Sequence, residues 1–248
     1  RIIGSGVIDG SGGHPNFSKA ELVKAGLTRE QAHFRRPYGL SFVRCTNIEV
    51  RGVTLRNMAF WCQDYLDCDG VLVDAVRVDS AASNRNNDGI DIDGSRNVRV
   101  VNCWINAGDD AICLKSSYRP CENVVIANNV CRSLANGLKM GTASVGGFRN
   151  ISVTNLVMEK VAAAGVALEV VDGGVIDGVT ISNLTMQEVG AAIFLRLGDR
   201  GRQWMRSDDR TVGSLRNVSI ENVIAHVFSE RDGRPLASSI SGLAGPQI

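Results

Sequence analysis

The sequence carries no surplus of charge: 27 Lys and Arg stand against 26 Asp and Glu, a net +1. That balance supplies no basic surface to attract nucleic acid or an anionic membrane. No run approaches the roughly 20 apolar residues that cross a bilayer, and no charged-then-apolar leader opens the chain. Neither a nucleic-acid nor a membrane partner is expected. Proline is scarce, 5 residues against 27 glycines, which favours tight turns between long uninterrupted sheets. The 7 cysteines cannot all pair within one chain, and no C-x-x-C or Cys/His metal spacing occurs among them. What is present is 44% hydrophobic content in 248 residues, ample for one core. No linker interrupts it, so residues 1–248 are read as a single domain.

The chain is a repeat. A tetrapeptide of Asn or Gly, apolar, any, apolar begins at Asn47, Gly70, Asn97, Asn123, Asn150, Gly178 and Asn217, at separations of 23, 27, 26, 27, 28 and 39 residues. Within each unit the alternation has the two-residue period and β-branched bias of a strand. A second Asn recurs at 102, 128, 155, 183 and 222, where the left-handed conformation that Asn tolerates turns the chain. Stacked turns would align these amides into a ladder with a structural role.

A further alternating segment precedes each unit: Ile90-Asp91-Ile92-Asp93, Ile112-Cys113-Leu114-Lys115, Leu138-Lys139-Met140-Gly141, Val166-Ala167-Leu168-Glu169 and Ile193-Phe194-Leu195-Arg196. Short strands of this kind bury a face only by stacking, about 4.8 Å apart, so the fold class is all-β, a parallel β-solenoid. No helical period fills the units, no leucine-rich frame is present, and the units are too short for propeller blades. Residues 18–34 are the exception: good helix formers with a Thr28-x-x-Gln31 capping pattern predict one short surface helix. Cys45, Cys68 and Cys121 precede unit starts by two residues, with Ser95 between. They are expected to stack inside as reduced, apolar-like residues, with a Cys45–Cys68 disulfide as the alternative. His14, His33 and His226 share no spacing and are read as structural or surface residues.

Polar residues crowd at Asn86-Asn87-Asp88-Gly89-Ile90-Asp91 and Gly108-Asp109-Asp110-Ala111-Ile112. Aligning Ile90 with Ile112 puts Asp88 and Asp110 at one position of consecutive coils, with Asp109 one residue before. Three carboxylates in one outward patch would titrate together, at least one with a raised pKa. A carboxyl set split between protonated and ionised members is what glycosidic cleavage requires. Calcium binding or strand capping by the same residues is equally compatible with the spacing alone.

NNDGID (86–91) and GDDAICLK (108–115), preceded by GVIDGSGG (6–13) and RPYGLSF (36–42), resemble glycoside hydrolase family 28, the polygalacturonase-like enzymes of pectin degradation. The resemblance extends from the IDG segment to about residue 225. It implies a right-handed single-stranded parallel β-helix of the pectin-lyase-like type. It also implies hydrolysis with inversion, in which Asp109 matches the general acid and Asp88 and Asp110 match the groups that activate water. No cofactor or metal is implied, and the partner is a polysaccharide or oligosaccharide.

The chain departs from that family at two places. Where the family has Gly-His-Gly, Ala135-Asn136-Gly137 places Asn136 one coil beyond Asp110; where it has Arg-Ile-Lys, Ala167-Leu168-Glu169 replaces two cations with Ala and an acid. The substrate expected is a pectin-type acidic polysaccharide, galacturonan or rhamnogalacturonan related, with smooth polygalacturonate disfavoured, contacted by Asn136, Lys115, Lys139, Glu169 and Arg196. The alternative for the three outward cations is a solvated charged face, with Glu169 paired to Arg196. An insertion from Gly198 to Arg210 brings Trp204, suited to walling a sugar groove. Two other functions stay open at this stage: a calcium-dependent polysaccharide lyase, and an inactive carbohydrate-binding solenoid. The chain begins inside a strand-like pattern, so terminal coils of a longer protein are expected at both ends. The resemblance implies an extracellular or periplasmic monomer.

Overall fold

The structure, a computed structural model, describes residues 1–80, 85–200, 212–228 and 235–243. Its strands stack in parallel as a right-handed solenoid, with three strands to a full turn. The turn that carries the first acidic motif runs Ile90–Asp93, Arg96–Val101 and Trp104–Ala107, and Ile112–Ser116 opens the next. These belong to three sheets that we call sheets 1, 2 and 3 in that order.

Sheet 1 has the register predicted by sequence. Ile90 pairs with Ile112, Ile112 with Leu138, Leu138 with Val166, and Val166 with Ile193. Alternation decides what is buried: Ile90, Ile92, Ile112, Leu114, Leu138, Met140, Val166 and Leu168 are all fully enclosed. Each such side chain stabilises the stack by roughly 2 kcal/mol relative to exposure. The second and fourth residues of each segment face the other way, so the same alternation that builds the core lines up Asp91, Asp93, Lys115, Lys139 and Glu169 on the opposite face, with Ala167 and Phe194 forming a small apolar cluster among them.

The corners are set by asparagine. Asn102, Asn128, Asn155, Asn183 and Asn222 all have φ between 52° and 59°, the left-handed region. Their amides bond along the axis: Asn128 Nδ2 donates to Asn102 Oδ1 at 3.5 Å and Asn155 Nδ2 to Asn128 Oδ1 at 3.1 Å. The ladder breaks once, where Asn183 Nδ2 turns to Thr154 Oγ1. A second ladder, not foreseen from sequence, runs through the unit-start residues. There Asn123 Nδ2 donates to Asn97 Oδ1 at 3.2 Å and Asn150 Nδ2 to Asn123 Oδ1 at 2.8 Å.

Two helices, not one, occupy the early insertion: Lys19–Lys24 and Arg29–Phe34. Gly26, at φ 98°, separates them, and Thr28 and Gln31 form the expected reciprocal cap on the second. All seven cysteines are free thiols, Cys45 partly exposed and the rest buried. In their column Ser95 Oγ accepts the Cys68 backbone N–H at 2.8 Å and donates to Tyr65 O. Residues 201–210 of the insertion, Trp204 among them, lie outside the described residues.

Candidate functional site: a recessed carboxylate cluster

The acidic motifs meet because their strands are adjacent rungs. Gly89 N–H donates to Asp110 O at 2.9 Å and Ile90 N–H to Ala111 O at 3.0 Å, which fixes Asp88 directly over Asp110. Gly89 permits this approach: a Cβ there would lie 2.5 Å from Ala111 O and 2.6 Å from Ile105 Cγ2. Asp88, Asp109 and Asp110 each bring a carboxylate oxygen within 4.8 Å of the others.

The cluster is recessed, which corrects the picture of an outward patch. Asp88 and Asp110 are 4% and 3% exposed, and Asp109 alone is half-buried. Aromatic rings crowd its edge: Tyr38 and Trp61 pack edge to face at 5.5 Å, and the Trp61 ring lies 4.4 Å from Lys115 Nζ.

Each carboxylate has different partners. Asp110 accepts from Asn136 Nδ2 at 2.7 Å and from Asn136 N–H at 3.2 Å, and Lys139 Nζ stands 3.0 Å from its other oxygen. Asp109 accepts from the Asp110 N–H at 3.1 Å, and on Oδ2 from both Asn86 N–H and Asn86 Nδ2 at 3.3 Å each. Asp88 has Lys115 Nζ at 3.4 Å. Below it, Lys115 also reaches Asp91 and the Cys113 thiol.

Burial pushes Asp88 up to about 7; Lys115 opposes this, while Asp110 and Asp109 reinforce it. Burial and then the Asp110 charge raise Asp109 above the ordinary carboxylate range. Burial, with Asp88 beside it, holds Asp91 well above that range. For Lys115, burial favours the neutral amine but is outweighed by the neighbouring acids Asp91, Asp88 and Asp110, so its ammonium is retained. Lys139 behaves likewise through Asp110 and Glu169.

Of the residues singled out by sequence, Asp88, Asp109, Asp110, Asn136, Lys115 and Lys139 come together. The two lysines are not a solvated face, because each is turned down onto carboxylates. Glu169 is in register with Arg196, but its ion pair is with Lys139, at 3.9 Å. Arg196 is exposed, three rungs from Asp110 and so about 14 Å away along the axis. Sequence reasoning passed over Asp91, Asp64, Cys113, Asn86 and Arg36. The first three share one column of sheet 1 with Lys139, a stacking visible only once every rung is aligned. Asn86 and Arg36 meet through a hydrogen bond that spans 50 residues and leaves no local pattern.

Among the described residues, two groups have donors close enough for a cation: Asp88, Asp109 and Asp110, and Asp88, Asp91 and Cys113. In the second group the Lys115 ammonium already stands among the donors, in contact with all three.

The family model described as glycosyl hydrolases family 28 matches residues 1–233. Polygalacturonase QRT2 of Arabidopsis thaliana is 25% identical over 229 residues, 90% of this chain and 50% of the relative. A probable polygalacturonase of Vitis vinifera is 22% identical over 204 residues, 77% of this chain and 39% of the relative. The chain thus spans at most about half of these curated relatives. Among solved structures, the family 28 exopolygalacturonase of Yersinia enterocolitica superposes with a TM-score of 0.74 at 18% identity, covering 92% of this chain and 47% of that one. The polygalacturonase of Erwinia carotovora ssp. carotovora gives 0.74 at 22% identity, covering 91% and 60%. These structural likenesses carry the fold.

Proposed function

Because the chain belongs to glycosyl hydrolase family 28, we propose that it hydrolyses glycosidic bonds of a pectin-type acidic polysaccharide, with inversion. The observation that carries this is the convergence of three carboxyl groups with unequal surroundings. Asp109 is the accessible member, and burial with the Asp110 charge beside it shifts its pKa upward, toward the protonated form that an acid needs. It donates that proton to the leaving glycosidic oxygen. Asp110, with Lys139 and Asn136 compensating its charge, takes a proton from water as the water oxygen bonds to the anomeric carbon. Asp88 holds the same water from the adjacent rung. The sugar lies over the triad, so the water and the leaving oxygen are served from one recessed floor. The oxygen separations, within 4.8 Å, are shorter than the roughly 6.5–9.5 Å of a general inverting pair. Proton NMR of the first-formed anomer decides the stereochemistry directly.

The substrate is a galacturonate-containing polymer or oligomer other than smooth polygalacturonate, since Asn136 and Glu169 stand where the family places His and Lys. Residues 1–248 act as one β-helix unit of a monomer outside the cytoplasm, where such polymers are met. The test is product analysis on polygalacturonate and rhamnogalacturonan, with and without chelator. Reducing ends that form independently of chelator, and disappear in Asp109→Asn, support the proposal. Unsaturated, ultraviolet-absorbing ends that require calcium identify a lyase instead. Binding without cleavage throughout the panel identifies a carbohydrate-binding solenoid.

A further inference from the structure

Arg36 follows the second inserted helix and is 3% exposed. Its guanidinium is committed at nearly every donor. Nε donates to His33 O at 3.4 Å, Nη1 to Ala59 O at 3.3 Å and to Arg85 O, and Nη2 to Asn86 Oδ1 at 3.1 Å, with His33 Nδ1 at 3.2 Å from the same nitrogen. Its plane covers Phe60 at 4.7 Å. Five contacts in a fixed planar fork leave little freedom, and a lysine could not reproduce them.

The contact with Asn86 bears on the carboxylate cluster. Asn86 sits at φ 60°, a left-handed turn that aims its backbone N–H and its Nδ2 at the same atom, Asp109 Oδ2. A side-chain amide has two faces to offer. With Arg36 donating to Oδ1, only the NH2 end is left for Asp109; the flipped amide would set donor against donor at Arg36 and acceptor against carboxylate at Asp109. Polarisation along the chain from guanidinium to amide to carboxylate strengthens each bond.

We propose that Arg36 is a positioning residue for the reaction: it locks the orientation of Asn86 so that both Asn86 donors hold Asp109 Oδ2, leaving the carboxyl aimed at the leaving oxygen. The segment that follows the inserted helices therefore acts on Asp109 through Asn86. This rests on the reading of Asp109 as the acid, so the decisive measurement does not depend on turnover.

Asp109 also faces Asp110 and Asp88, with Lys139 and Lys115 behind them, and none of those four groups is substituted in the variants tested. With aspartate carboxyl carbons isotopically labelled, Asp109 is identified as the resonance lost in Asp109→Asn and is titrated by NMR. Arg36→Gln is expected to move its titration up by about one pH unit, because the ionised form loses oriented donors. Arg36→Lys, which keeps the charge but not the fork, should move it similarly. In an Asn86→Ala background Arg36→Gln should add no further shift. Kinetically, kcat falls about tenfold with KM within about twofold, as for a misplaced acid. An unshifted or lowered titration in Arg36→Gln, a wild-type titration restored by Lys, or an equal shift in the Asn86→Ala background overturns the proposal. Should the protein cleave nothing, the titrations still decide the positioning role, and the failure falls on the function alone. Should Arg36→Gln not fold, the Lys variant and Asn86→Ala carry the same comparison.

Discussion

Asn136 stands one rung beyond Asp110 and points its amide nitrogen at that carboxylate, 2.7 Å from Oδ1. Its own oxygen accepts the Ala164 N–H at 3.2 Å, so the amide is held at both ends. An asparagine so placed donates a hydrogen bond but moves no proton. Asn136→Leu, similar in size and without polar atoms, should lower kcat about tenfold by leaving Asp110 with one donor fewer. Steady-state kinetics on the active substrate, with a melting curve to confirm folding, checks this.

Asp109→Asn keeps shape and removes the acid. Turnover should fall by about 10²–10⁴-fold while oligosaccharide affinity stays within severalfold. Reducing-end assays and calorimetric binding on the same preparation separate the two effects; retained turnover would remove Asp109 from the mechanism.

Lys139 and Asp110 form an ion pair with 17% and 4% of their side chains exposed. Replacing Lys139 by Met strands a buried carboxylate, a loss of about 3 kcal/mol against urea at neutral pH. A urea series at neutral pH on the variant and the unsubstituted protein tests this.

Asp88, pushed to about 7, and Asp64, pushed to about 6, both by burial, bind protons more tightly folded than unfolded. Between the unfolded value of 3.8 and those folded values the native state holds more protons. Stability from these two groups is therefore full below about pH 4 and is lost as pH rises through 6 to 7. The surface carboxylates Asp9, Asp69 and Asp177, lowered mainly by hydrogen bonds, act in the opposite sense and lose stability as pH falls below their unfolded value. Maximum stability should lie in mildly acidic solution, and Asp88→Asn with Asp64→Asn should flatten the decline toward neutrality. Urea midpoints from pH 4 to 8 that rise through this interval would contradict it.

Asn128 belongs to the corner ladder, at φ 59° and bonded to Asn102 and Asn155. Asn128→Ala combines left-handed strain with two lost bonds and should cost about 2 kcal/mol, whereas Asn128→Gly, free of the strain, should cost about half of that. Neither should change kinetics, because the corner does not touch the cluster. Denaturation and rate measurements on both variants test the structural assignment.

Sequence alone determined the repeat, its strands, the register of Ile90 over Ile112 and the role of asparagine at the turns. All of these follow from local periodicity and backbone preference, which each unit restates. The same register made the meeting of Asp88, Asp109 and Asp110 legible, since stacking turns a motif spacing into a distance. Only the tertiary structure decided how deep the cluster lies, that Lys115 and Lys139 turn inward onto it while Arg196 does not, and that Arg36 reaches Asn86. Depth and side-chain partnership depend on what packs over a column from elsewhere in the chain. A parallel coil fixes which residues are stacked, but leaves the covering of each stack to insertions that carry no period.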